Sequence, residues 1–144
     1  MTELAIEGYA SRFWARDLND DVVAAGAFRA SLERTGARGV KMLHAHEGRR
    51  PVGVWDEVRE DAAGLFVRGR VLDVTPEGRM CAALVRAGAV DGLSIGFRAV
   101  KARGDESGRL RVLSEVELWE VSLVTFPMLA SARLTRVEEV SLAA

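Results

Sequence analysis

Apolar residues recur at every second position along much of this chain, and this alternation limits the folds that it can form. The longest such run covers residues 112–126, and shorter runs cover 4–13, 40–46, 52–58, 65–72, 93–100 and 133–140. Successive side chains of a β-strand point to opposite faces of a sheet, so a period of two predicts strands. We therefore expect about seven or eight strands, the longest being either continuous or broken by a bulge.

Two segments have helical signals instead. Phe28 and Leu32 lie four residues apart within 25–34, which predicts a short amphipathic helix. A Thr-Pro pair opens the segment 75–87 and combines a capping hydroxyl with a proline in the first helical turn. Because strands dominate and mostly follow one another, we predict one domain over 1–144. Its fold is mainly β, an antiparallel sheet curled into a barrel with peripheral helices.

Composition and charge exclude several classes of protein. The 20 basic and 21 acidic residues are well mixed and give a net charge of −1, so we expect neither nucleic acid nor an anionic membrane as a partner. The N-terminus has no basic region typical of a signal peptide, and no apolar run reaches the roughly 20 residues that span a bilayer. Cys81 is the only cysteine, and its apolar neighbours predict a buried side chain. We expect a cytoplasmic protein without an intrachain disulfide.

His44 and His46 are the only histidines. The alternation predicts that both lie on one face of the strand 40–46. Imidazole titrates near neutral pH, so a histidine can act as a general base, although most single histidines are structural.

Ser94 lies in the pentapeptide GLSIG at 92–96, which matches the G-x-S-x-G pattern of nucleophilic serines. In α/β-hydrolases that serine stands on a turn from strand to helix, and the catalytic histidine follows it. Here the alternation continues as a strand and both histidines come first, which excludes the α/β-hydrolase fold. The flanking glycines would still let a substrate backbone approach Ser94 closely.

Glu120 interrupts the more apolar of the two rows in 112–126. A buried carboxylate is costly unless it is paired, and a histidine that donates its ring N–H is a suitable partner. A serine, a histidine and a carboxylate together would suit nucleophilic catalysis. Two candidates for the oxyanion donor remain open, the backbone N–H groups near Arg98 and an arginine side chain.

Several stretches occur in one order along nearly the whole chain: GYAS at 8–11, DVV at 21–23 with GAF at 26–28, LHAHEGRRPVG at 43–53, GLFVRGRVLD at 64–73, ALVRAGAVDGLSIGF at 83–97 and EVELWEVSLVTFP at 115–127. In this order they resemble the prohead (capsid-maturation) serine protease family of tailed bacteriophages and gene transfer agents. DGLSIGF and LWEVSLVTFP are the most specific of them.

The resemblance implies a serine endopeptidase with a β-barrel fold similar to the herpesvirus assembly protease (assemblin). It assigns the catalytic histidine to His46, the nucleophile to Ser94 and the acid to Glu120, with Glu117 as the fallback. It implies cleavage of the major capsid protein precursor and its scaffolding segment inside the immature capsid. It also implies self-cleavage and, by analogy with distant viral relatives, a homodimer; no cofactor or metal is implied.

The chain departs from the family pattern at His44, where an aromatic residue is usual, and at Glu47, where aspartate is usual. Met128-Leu129 stands where Ala-Asn often follows the last proline, a variant associated with gene transfer agents. Two alternatives therefore stay open. One is a catalytically inactive capsid-assembly module. The other is a metal-dependent hydrolase in which His44, His46 and a carboxylate, Asp73 or Glu120, hold zinc.

Overall fold

The computed structural model describes residues 2–141, and most of them lie in strands. Residues 1 and 142–144 of the predicted domain lie outside the described residues. In chain order the elements are β1 (Thr2–Arg12), β2 (Asp21–Val23), α1 (Arg29–Thr35), a 3₁₀ turn (Ala37–Gly39), β3 (Lys41–His44), β4 (Pro51–Glu60), β5 (Gly64–Val71), α2 (Pro76–Arg86), β6 (Gly92–Gly104), β7 (Arg111–Val124) and β8 (Leu134–Ser141).

Eight strands form one curved sheet in which hydrogen-bonded neighbours follow the order β2-β7-β3-β4-β5-β1-β8. β6 lies outside this order and pairs with β7 along the length of that strand. The predicted mainly-β architecture with two helices is therefore confirmed, and each predicted strand and helix is present within a few residues. The short β2 was missed, because residues 16–21 are polar and rich in turn formers.

The predicted antiparallel barrel is refined in two respects. β2 and β3 both run parallel to β7. Long stretches of chain separate them from β7, and a long connection permits either direction, whereas a short one forces antiparallel pairing. Among the described strands the ladder also does not close, since β6 meets the start of β8 only at the single bridge between Gly92 and Arg133.

The apolar faces of the strands enclose one main core, which the helices help to cover. Its largest fully buried side chains include Phe28, Met42, Leu65, Leu93 and Leu118. α2 begins where Thr75 accepts a hydrogen bond from the backbone N–H of Gly78 at 2.9 Å, and it buries one face that includes Cys81. Cys81 is buried as predicted, and this burial raises the pKa of its thiol to about 11.

A β-bulge at Trp119 reverses the alternation within β7. Leu118 and Val121 both belong to the main core, so these consecutive core residues are three positions apart instead of two. The register shows the cause, because Gly96 pairs with Glu120 and Phe97 pairs with Leu118, which leaves Trp119 without a partner on β6. The prediction that Glu120 interrupts an apolar row is therefore wrong: the bulge directs Glu120 away from the main core.

Candidate active site

His46 lies in a tight turn after β3, not on the strand face where the alternation placed it. Ala45 and His46 have φ values of 53° and 62°, in the left-handed region that non-glycine residues seldom occupy. Two hydrogen bonds to β7 hold this turn: the Ala45 N–H donates to the Leu123 carbonyl at 2.9 Å, and the His46 N–H donates to Ser122 Oγ at 3.0 Å. The turn carries the imidazole away from the strand and over the neighbouring β7.

Glu120 receives that imidazole. Its Oε2 lies 2.7 Å from His46 Nδ1, and the Glu120 residue is only 8% exposed. With a carboxylate as partner, Nδ1 carries the proton and acts as the donor, so Nε2 is left with a lone pair that can accept a proton.

Ser122 completes a closed ring of hydrogen bonds with these two residues. Its hydroxyl accepts from the His46 N–H and donates to Glu120 Oε1 at 2.8 Å, while Glu120 Oε2 contacts the His46 ring. Ser122 is fully buried, so no competing water from bulk solvent reaches it. A single hydroxyl thus fixes both the carboxylate and the backbone that carries the imidazole.

The hydrogen bond and the negative charge of Glu120 raise the pKa of His46 above its ordinary value, against the opposing effect of partial burial. Each contribution has a clear origin, since the carboxylate stabilises the protonated ring and desolvation destabilises it. Such a histidine is a stronger base than a free imidazole.

Ser94 lies on β6 directly opposite Ser122 of β7, in the register that also pairs Gly96 with Glu120. It lines one cavity together with His46. Within residues 2–141 the Ser94 hydroxyl makes no hydrogen bond, to His46 or to any other group. The two side chains thus share one cavity without being joined, as is common in active sites that hold no substrate.

Gly96 makes room for the carboxylate. A Cβ atom built on Gly96 would lie 2.5 Å from Glu120 Oε2, the oxygen that contacts His46, and 2.6 Å from Cδ. Only a residue without a side chain leaves this space free. The sequence assigned Gly96, as a glycine beside Ser94, only a role in admitting substrate, and it assigned Ser122 no role. Gly96 belongs to the quoted DGLSIGF segment and Ser122 to LWEVSLVTFP.

The remaining candidate residues lie elsewhere. Glu117, the fallback acid, accepts hydrogen bonds from Trp119 Nε1 at 2.9 Å and from Arg98 at 2.8 Å. Among the arginine side chains that could serve as an oxyanion donor, that of Arg98 is therefore already engaged. His44 lines a different cavity from His46, and Asp73 pairs with Arg86 at 3.0 Å.

Across the described part of the chain, no group of three or more His, Cys, Asp or Glu side chains lies close enough to hold a metal ion. No helix within residues 2–141 combines the length and apolar character needed to cross a membrane.

The fold is that of viral capsid-assembly and herpesvirus assemblin-type proteases. The structure of the bacteriophage T4 capsid assembly protease superposes with a TM-score of 0.66 at 18% identity, over 83% of this chain and 80% of that chain. The KSHV protease, solved in complex with a hexapeptide phosphonate inhibitor, superposes with a TM-score of 0.54 at 13% identity, over 85% of this chain and 59% of that one.

The chain belongs to the family described as caudovirus prohead serine protease, whose model matches residues 1–143. The prohead protease of Enterobacteria phage HK97 is 33% identical over 136 residues, which are 93% of this chain and 60% of that protein. The prohead protease of Escherichia phage T5 is 28% identical over 123 residues, or 85% of this chain and 57% of that protein. The chain thus spans about three fifths of the length of these two relatives. The predicted family is confirmed.

Proposed function

We propose that this protein is a serine endopeptidase that cleaves the major capsid protein precursor and its scaffolding segment during prohead maturation of a phage or gene transfer agent. Ser94 is the nucleophile, and His46 is the general base and acid. Glu120 orients the imidazole and stabilises its protonated form. The observation that carries the proposal is the His46–Glu120 contact of 2.7 Å beside the cavity that Ser94 lines.

The reaction follows from the roles of these atoms. Ser94 Oγ attacks the scissile carbonyl carbon while His46 Nε2 takes the hydroxyl proton. The protonated imidazole, stabilised by ionised Glu120, then gives that proton to the leaving amine and leaves an acyl-enzyme. Water attacks the acyl carbon with His46 again acting as base, which releases the acid product and restores Ser94. A positioned base of this kind contributes roughly 10²–10⁴-fold to the rate.

The substrate and the compartment come from the family. Its members in phages HK97 and T5 are prohead proteases, and the T4 protein of similar fold is a capsid assembly protease. We infer that the chain works within the immature capsid, where it meets the capsid precursor at high local concentration. Self-cleavage and a homodimer belong to the same proposal.

Co-expression with the capsid precursor tests this function. The wild-type chain should convert the precursor to a shorter product, seen by intact-mass spectrometry, and Ser94→Ala should leave the precursor whole. Ser107→Ala, in the exposed turn between β6 and β7, is the matched control and should cleave normally. Normal processing by a folded Ser94→Ala variant would refute the peptidase, and absence of processing by the wild type would favour the inactive assembly module.

A further inference from the structure

The cavity beside Ser94 and His46 has a volume of about 140 Å³ and extends from them between β6 and the loops on either side of it. Much of its wall is apolar. Leu93 and Leu113 are fully buried, Val23 is nearly so, and Ile95, Phe97 and Leu129 pack on the main core. This part of the wall is thus built from the core of the protein.

The charged groups on this wall are acidic, and their contacts are within the protein. Asp21 binds the Arg111 guanidinium at 2.8 and 2.9 Å. Asp17 Oδ1 accepts the backbone N–H groups of Asn19 and Asp21 at 2.8 and 3.0 Å. No lysine or arginine is among the described residues that line the cavity. An acidic side chain in the cavity would therefore meet two carboxylates and no lysine or arginine, at a cost in free energy.

The volume also limits the ligand. In an unrelated protein, an apolar cavity of about 150 Å³ binds benzene. A cavity of 140 Å³ with a wall of leucine, isoleucine, valine and phenylalanine therefore suits one apolar side chain the size of leucine, methionine or phenylalanine.

We propose that this cavity binds the side chain of the residue on the acyl side of the cleaved bond, and that it selects a leucine-sized or larger apolar residue over an acidic one. The inference rests on the proposed function, because Ser94 would carry that acyl group during the reaction. Since Ser94 itself lines the cavity, the side chain next to its acyl carbon has the shortest path into the wall.

Peptidyl diphenyl phosphonates test the preference without knowledge of the natural cleavage site. Ser94 Oγ forms a bond to phosphorus and one phenoxide leaves, taking up the serine proton as phenol. Two probes share one peptide and differ in the last residue, an analogue of leucine or of glutamate. We expect the leucine probe to label the wild-type chain at least about tenfold faster than the glutamate probe, measured as adduct formation by intact mass.

Two variants of similar chemistry show whether the cavity is responsible. Leu129→Ala should enlarge the cavity and shift the preference several-fold toward a phenylalanine probe over the leucine probe. Leu84→Ala removes an equally half-buried leucine that packs on the same core from α2 but does not line the cavity, and should keep the wild-type ratio.

The outcomes separate the two proposals. Labelling that is lost in Ser94→Ala but equal for the leucine and glutamate probes, or faster with the glutamate probe, would overturn the cavity assignment and leave the peptidase intact. If no probe labels the wild-type chain, the peptidase proposal fails and the cavity assignment falls with it.

Discussion

At the scale of single residues, the pKa of His46 connects the geometry to a pH dependence. A general base works only when neutral, so kcat/KM should rise with pH through the pKa of His46. Glu120 raises that pKa. The acidic limb of the pH profile, in which kcat/KM rises as His46 loses its proton, should therefore lie above the ordinary value of about 6.5.

Glu120→Gln removes both raising effects and leaves only burial, which lowers the pKa of His46. We expect the acidic limb to move to lower pH and kcat/KM to fall by roughly 10²–10⁴-fold, because an amide can also favour the wrong tautomer. Glu117→Gln is the control three positions away on β7, and its pH profile should match that of the wild type. An unmoved limb in Glu120→Gln would show that this carboxylate does not act on the base.

Ser122 has a positioning role at the same scale, because its hydroxyl joins the His46 backbone to Glu120. Ser122→Ala should loosen the His46–Glu120 contact, lower kcat/KM by up to about 10²-fold and shift the acidic limb toward the ordinary histidine value. Ser122→Thr keeps the hydroxyl and should recover both properties.

Ser31→Ala provides the matched control for Ser122. Ser31 is also a fully buried serine, and its hydroxyl accepts the Leu118 N–H at 2.9 Å, but it bonds no member of the candidate site. If Ser31→Ala and Ser122→Ala reduce kcat/KM equally and leave the acidic limb in place, Ser122 has only a structural role.

At the scale of secondary-structure elements, the pairing of β6 with β7 places the Glu120 carboxylate beside the space that Gly96 leaves free. The bulge at Trp119 directs Glu120 toward His46, and Gly96 on the facing strand leaves room for its carboxyl group. The arrangement depends on one extra residue in one strand and one absent side chain in the other.

Gly96→Ala tests this arrangement. The added methyl group would lie only 2.5 Å from Glu120 Oε2, so the flexible carboxyl group should move away from His46 while the fold persists. We expect kcat/KM to fall by more than about tenfold with little change in the urea midpoint. Gly104→Ala, at the other end of β6, meets no atom within 4 Å and should retain activity. Full activity in Gly96→Ala would contradict this role of the glycine.

At the scale of the whole molecule, the place where the sheet nearly closes depends on Gly8. A Cβ atom there would lie 2.4 Å from the Arg133 carbonyl oxygen and 3.1 Å from Leu93 Cδ1. Gly8 therefore lets β1 approach both the start of β8 and β6, where the Gly92–Arg133 bridge joins the two ends of the sheet.

Gly8→Ala should push these segments apart and lower the free energy of unfolding by about 1–3 kcal/mol, because backbone atoms cannot move aside as a side chain can. Urea denaturation measures the change. Gly48→Ala, in the turn between β3 and β4 with nothing within 4 Å, is the control. Equal stability of the two variants would show that the ends of the sheet are not closely packed at Gly8.

Several parts of this protein follow from local patterns in its sequence. Alternation along β1 and β4 to β8 predicted strands, because the side-chain period is a property of each segment. The Thr75-Pro76 pair predicted the start of α2 for the same reason. Ser94, His46 and Glu120 could be selected because few residue types perform such chemistry and the surrounding segments resemble one family.

How those residues meet depends on contacts between segments that are far apart in the chain. The left-handed turn at His46 is held by Ser122, 76 positions along the chain, and the bulge that turns Glu120 appears only when β7 is paired with β6. The parallel pairing of β3 with β7, the space at Gly96 and the cavity beside Ser94 likewise depend on strands that are distant in the chain. No periodic pattern in the sequence predicts these features, because hydrogen bonds and packing between distant segments select the register and the backbone angles.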